Sequence, residues 1–118
     1  MHSRWSDRSG TIAEMADAAT DTSYEYIAMT DHSKGLKIAG GINELELARQ
    51  GAEIAKLNMV LRKSGRKLVV LRSVEMNLNR RGEGDMSPES LLALDLVLGS
   101  FHSSLRIVED QTDRYLAA

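Results

Sequence analysis

The chain has 118 residues, 42% hydrophobic and 27% charged, with nine Gly and one Pro, which is the balance of a folded domain with one core rather than of a disordered segment. Fifteen basic and seventeen acidic residues leave a formal charge of −2 and a pI near 5.9, which excludes any general electrostatic attraction for nucleic acid or an anionic membrane. The lack of cysteine excludes disulfides and thiolate metal sites, no apolar run reaches the about 20 residues of a membrane span, and the opening residues lack the apolar centre of a signal peptide, so the cytoplasm is the expected location.

Thr11 and Glu14 form a capping-box pair ahead of Ile12, Met15, Ala16 and Ala19 at helical spacing, which predicts a first helix. Residues 24–30, rich in β-formers and apolar toward their end, predict a buried strand that stops at Asp31. A loop with three glycines at 35–41 follows, and Asn43 with Glu46 caps a long second helix, whose apolar stripe is expected to include Leu45, Ala48, Ala52, Ala55 and Leu57 and which ends near Ser64-Gly65. Residues 67–74 predict a second strand, buried on both faces of a parallel sheet and ending at Glu75. After a turn-rich stretch at 77–86, Ser87-Pro88 starts a short helix, 95–100 predict a third strand, and Asp110 is expected to cap a last helix through Tyr115. Strands and helices alternate, which predicts an α/β fold of βαβ units around a parallel sheet or barrel with the helices outside.

Chemistry in such folds collects at the C-terminal edge of the strands. Asp31-His32, Glu75 and His102 are each expected just past a strand end, and all three histidines, His2, His32 and His102, fall in loops at that end, as does Asp7. Neutral imidazoles and carboxylates hold zinc, manganese or iron, and a bridging carboxylate lets two cations sit about 3.5–4 Å apart. A single His after a strand is commonly a hydrogen-bonded loop residue, Asp7 alone reads equally as an Asx-turn or cap, and Asp31 alone as a loop cap. Glu75 differs, because a carboxylate that follows so apolar a run needs a partner if buried, and a cation is a natural one. Arg4, Lys34 and Lys37, in loops at the same end, are candidates for binding a phosphate, with Arg80 and Arg81 as comparable candidates.

His2-Ser3-Arg4-Trp5-Ser6-Asp7, Thr30-Asp31-His32-Ser33, Ser73-Val74-Glu75 and Ser100-Phe101-His102-Ser103, in this order, resemble the polymerase and histidinol phosphatase (PHP) superfamily, and most of all the PHP domain joined to bacterial family X DNA polymerases and its stand-alone relatives. The resemblance implies that residues 1–118 are the N-terminal part of a single PHP domain, a distorted seven-stranded TIM-like β/α barrel with up to three divalent metal ions (zinc, manganese or iron) at its C-terminal mouth, hydrolysing phosphoesters. It implies metal ligation by His2, Asp7, His32, Glu75 as the bridging carboxylate, and His102, with Glu75 and His102 as the residues on which catalysis depends and Asp31 as an orienter beside the ligands. Met1 stands at the middle of the family's opening His-x-His pair, so the first His is expected just upstream, and the later His and Asp-x-His ligands beyond Ala118; the expectation is a domain truncated at both ends, inactive as an isolated piece and prone to self-association through an open half-barrel. Arg8 and Ser23 stand where relatives usually have Gly.

Two substrates fit this resemblance: a DNA 3′ end, with the domain fused to or associated with a DNA polymerase, and a small phosphomonoester of the histidinol-phosphate kind. A non-catalytic interaction module and an amidohydrolase barrel are the rival classes, the latter disfavoured because it uses a Lys bridge where this chain offers Glu75.

Overall fold

The computed structural model describes residues 1–106 and 108–118. Its elements run α1 (Ile12–Asp21), β1 (Tyr26–Met29), a 3-10 turn (Lys37–Ala39), α2 (Glu44–Lys63), β2 (Val69–Leu78), α3 (Pro88–Leu91), β3 (Leu96–Phe101) and α4 (Thr112–Ala117). The three strands form one parallel sheet in the order β1-β2-β3. The fold is thus α/β, as the alternation of elements predicts. No helix among the described residues is long and apolar enough to cross a membrane.

Local chemistry sets the helix starts. Both capping boxes close: Thr11 and Asn43 accept from the backbone N–H groups of Glu14 and Glu46, whose carboxylates bind back to the cap N–H. Ser87 caps α3 with Pro88 at its first position, and Asp110 accepts from the N–H and the hydroxyl of Thr112 at the start of α4.

One apolar cluster joins Ile12, Ala16 and Ala19 of α1 to Ile27 and Met29 of β1, Ile54 and Leu61 of α2, and Leu68 and Val70. A second gathers Ile42, Leu47, Val74 and Met86, and Trp5 packs against both. The helices therefore cover the face of the sheet that carries Ile27, Met29, Val70 and Val74. On the opposite face Tyr26, Leu96 and Leu98 are exposed, at 65%, 44% and 43% of their full areas, so the strands are not buried on both sides.

Two expectations need correction. The buried stripe of α2 is Leu47, Gln50, Ile54 and Leu61, while Leu45, Ala48, Ala52 and Ala55 are exposed. Both sets recur at helical spacing, and the polar Gln50 disguised the stripe that faces the core. Secondly, β2 does not end at Glu75 but continues to Leu78, because its second half, from Ser73, is paired with β3. Glu75 is a strand residue with neighbours on both sides, bridged to His32 and opposite Leu98.

The rephased stripe makes a measurable distinction. Ile54→Ala, which empties a fully buried position, is expected to cost about 2–5 kcal/mol in urea denaturation, whereas Ala52→Ser on the outer face changes stability by less than about 0.5 kcal/mol. Equal effects of the two would contradict this packing.

Candidate metal centre

Strand alternation builds the site. Side chains two apart share a face, so Thr30 and His32, then Ser73, Glu75 and Asn77, then Ser100 and His102 continue the uncovered face toward its C-terminal end. The β1–β2 register carries on past β1 into the His32↔Glu75 bridge, where Glu75 N–H donates to Asp31 O (3.1 Å) and Ser33 N–H to Glu75 O (3.0 Å). Beyond it the chain doubles back: Ile42 N–H donates to His32 O (2.8 Å), and Gly41 lies so close that a Cβ there would fall 1.9 Å from Ser33 O. Only glycine permits that approach, which fixes the backbone of His32 from both sides.

Asp31 controls the other approach. Its carboxylate is wholly buried and accepts four hydrogen bonds, from Ser3 N (2.6 Å), Ser3 Oγ (2.7 Å), Ser6 Oγ (2.6 Å) and Gln50 Nε2 (2.6 Å). The N-terminal loop is thereby tied to β1 and to α2. Trp5 adds an anchor by donating from Nε1 to Glu53 (2.9 Å). Held in this way, the loop delivers His2 and Asp7 to the sheet's mouth.

The five proposed ligands converge. Glu75 lies 3.4 Å from His2 Nε2, 3.6 Å from His32 Nδ1 and 3.0 Å from His102 Nε2, and Asp7 lies 3.9 Å from His2 Nδ1 and 3.8 Å from His32 Nε2. The rings of His2 and His32 stack at 4.4 Å, with His102 edge-on to His32 at 5.5 Å. Ligand atoms of His2, His32 and Glu75 all lie within 4.8 Å of one another.

This donor set fits a divalent cation. The Nδ1 atoms of His2 and His32 are buried without a hydrogen-bond partner, a costly arrangement for a polar atom unless something binds there. Glu75, among the described residues, has no Lys or Arg partner and faces imidazoles alone. Burial first, and then the neighbouring His32, lower the pKa of His2 below the ordinary imidazole value against the pull of Asp7 and Glu75, which favours the neutral ring that a metal requires.

The remaining candidates lie outside the cluster. Asp31 does not bond His32; it acts on the loop that carries His2 and Asp7. Lys34 forms an ion pair with Glu44 at the start of α2, Arg4 is exposed beside Glu14, and Lys37 is exposed in the 3-10 turn. Arg80 pairs loosely with Glu109. Sequence reasoning missed Gln50 and Asn77. The first was signalled by its place three residues after Leu47 on the buried stripe, the second by its place two residues after Glu75, on the same face of a strand read as finished.

Removal of the Asp31 carboxylate would leave four buried or half-buried donors without an acceptor. Asp31→Ala is expected to lose about 3–5 kcal/mol of stability in chemical denaturation, with Asp31→Asn intermediate because one of its oxygens becomes a donor among donors. A loss within the about 0.5 kcal/mol of an ordinary surface substitution would contradict the role given to Asp31.

No family model matches the chain. Over 104 residues, 88% of its length, the chain is 39% identical to the DNA polymerase/3′-5′ exonuclease PolX of Bacillus subtilis (strain 168). The match spans 18% of that protein, so the chain is similar to one region of it.

Proposed function

We propose that the chain is the metal-binding front part of a PHP-type phosphoesterase domain that removes nucleotides from DNA 3′ ends. The observation that carries the reading is the convergence of His2, Asp7, His32 and His102 on Glu75, in a chain similar to a region of a protein named as a 3′-5′ exonuclease. The curved-wall geometry of a β/α barrel agrees with helices on one face of a parallel sheet and an uncovered apolar face on the other, with the proposed ligands at the strand ends as in such barrels. The proposal places the remaining strands and ligands in sequence outside the chain, with a DNA polymerase as the fused or associated partner and the cytoplasm as the location.

In this reading Glu75, His2 and His102 would hold divalent cations at the centre of the cluster, and Asp7 with His32 would hold a further one. Zinc, manganese and iron suit these imidazole and carboxylate donors. Bound divalent cations supply Lewis acidity, offsetting the charge that builds on phosphoryl and leaving oxygens. The protein's own contribution is placement. The ladder fixes His32 relative to Glu75, the Asp31 hydrogen bonds fix the loop of His2 and Asp7, and burial favours the neutral ring of His2, which presents a lone pair without first having to lose a proton. Arg4 and Lys37, free to reorient on the surface, attract the phosphate, as does Lys34 once released from Glu44.

The near balance of charge favours a second reading on its own account, in which the substrate is a small phosphomonoester, because a DNA-binding domain generally carries a basic patch. One experiment separates the two. The chain is expressed together with the sequence that flanks it in its reading frame and assayed with Mn²⁺ on a 3′-recessed DNA and on a phosphomonoester. We expect nucleotide release from the DNA, reduced at least about 100-fold by Glu75→Ala or His102→Ala, the size of loss that follows removal of a metal-site group. Undiminished release in both variants would remove these residues from the site, and phosphate release from the monoester alone would favour the second reading.

A further inference from the structure

His102 leans on a side chain that the ligand set does not include. Its Nδ1 lies 3.1 Å from Asn77 Oδ1, while its Nε2 lies 3.0 Å from Glu75 Oε1. Asn77 is well fixed for such a contact. Its backbone N–H donates to Ser33 Oγ (2.8 Å), the Ser33 hydroxyl donates to the Asp85 carboxylate (2.7 Å), and the Gly35 N–H donates to that same carboxylate. A Cβ at Gly35 would lie 2.7 Å from Asn77 Nδ2, so the glycine leaves the room that the Asn77 amide occupies on the loop side, with Oδ1 toward the imidazole.

An amide oxygen has no hydrogen to give, so the pairing with Asn77 requires His102 to carry its proton on Nδ1. In a neutral ring the lone pair then sits on Nε2. That lone pair meets Glu75 Oε1, itself an acceptor, and the nearest hydroxyl, Ser100 Oγ, is 3.5 Å away, at the limit of a hydrogen bond. Two acceptors face each other at hydrogen-bond distance, and a cation shared between them resolves the conflict. A ligating histidine commonly gives its other ring N–H to an oxygen acceptor in just this arrangement.

We propose that Asn77 is a positioning residue for His102: by accepting from Nδ1–H it commits Nε2, as a lone pair, to the cation shared with Glu75. This rests on the metal-dependent reading above, and the test keeps the two apart. Long-range proton–nitrogen NMR of the ¹⁵N-labelled, metal-free chain at mildly alkaline pH reports which nitrogen of His102 bears hydrogen. The expected result is Nδ1–H in the wild type and in Asn77→Asp, which keeps the acceptor, and loss of that preference in Asn77→Ala. Calorimetric titration with Zn²⁺ is expected to show affinity 10–100-fold lower for Asn77→Ala and close to wild type for Asn77→Asp. An Nε2–H tautomer in the wild type, an unchanged tautomer in Asn77→Ala, or an unchanged Zn²⁺ affinity in that variant overturns the proposal; the wild-type and aspartate arms do not require the alanine variant to fold. If the wild type takes up no Zn²⁺, the metal-dependent reading fails by itself, and the tautomer alone decides whether Asn77 orients His102.

Discussion

The arrangement of the site depends on one buried carboxylate. Asp31 has no exposed surface, and a charge so placed is tolerable only if hydrogen bonds replace the water it has lost. Four donors do so, and they come from two separate parts of the chain, the N-terminal loop and α2, brought to the end of β1. The requirement works in both directions. The carboxylate cannot stay buried without Ser3, Ser6 and Gln50, and the loop of His2 and Asp7 is tied to the body of the molecule besides by Met1, whose backbone O accepts from Thr30 N–H, and by the Trp5–Glu53 bond. A group that never touches the centre of the cluster thereby helps to place two of its members, His2 and Asp7.

The sheet supplies the rest. A parallel ladder spaces His32, Glu75 and His102 across three adjacent strands, and the period of two aims them to the face that the helices leave open. That face is apolar toward the strand starts, with Tyr26, Leu96 and Leu98, and polar toward the strand ends. The change in character along one face separates a region suited to packing from one suited to chemistry. Asn77, Ser33 and Asp85 then tie the end of β2 to the loop after His32, so that the imidazoles on either side of Glu75 are braced through one set of hydrogen bonds.

Much of this was legible in the residues. Two capping boxes, the Ser87-Pro88 start and the alternation of elements gave helices and a parallel order, because these are local signals that packing did not override. The five proposed ligands could be picked out as polar residues at strand ends, and the structure brings them to one place. The errors fall where the site interferes with ordinary patterning. Gln50 occupies a core position because Asp31 needs a donor there, which hid the true stripe of α2 behind the alanine stripe. Glu75 and Asn77 put polar side chains where a buried strand would carry apolar ones, so β2 read as ending where it continues. In both places a residue departs from the period of its element because it bonds to the cluster or to its support.

The most direct test of the account is where a cation settles. A crystal of the chain grown with Zn²⁺, with diffraction recorded across the zinc edge, is expected to place an anomalous peak about 2.0–2.2 Å from an oxygen of Glu75 and from a ring nitrogen of His2, His32 or His102. Zinc bound only elsewhere on the chain, with Glu75 left facing its three imidazoles alone, would contradict it.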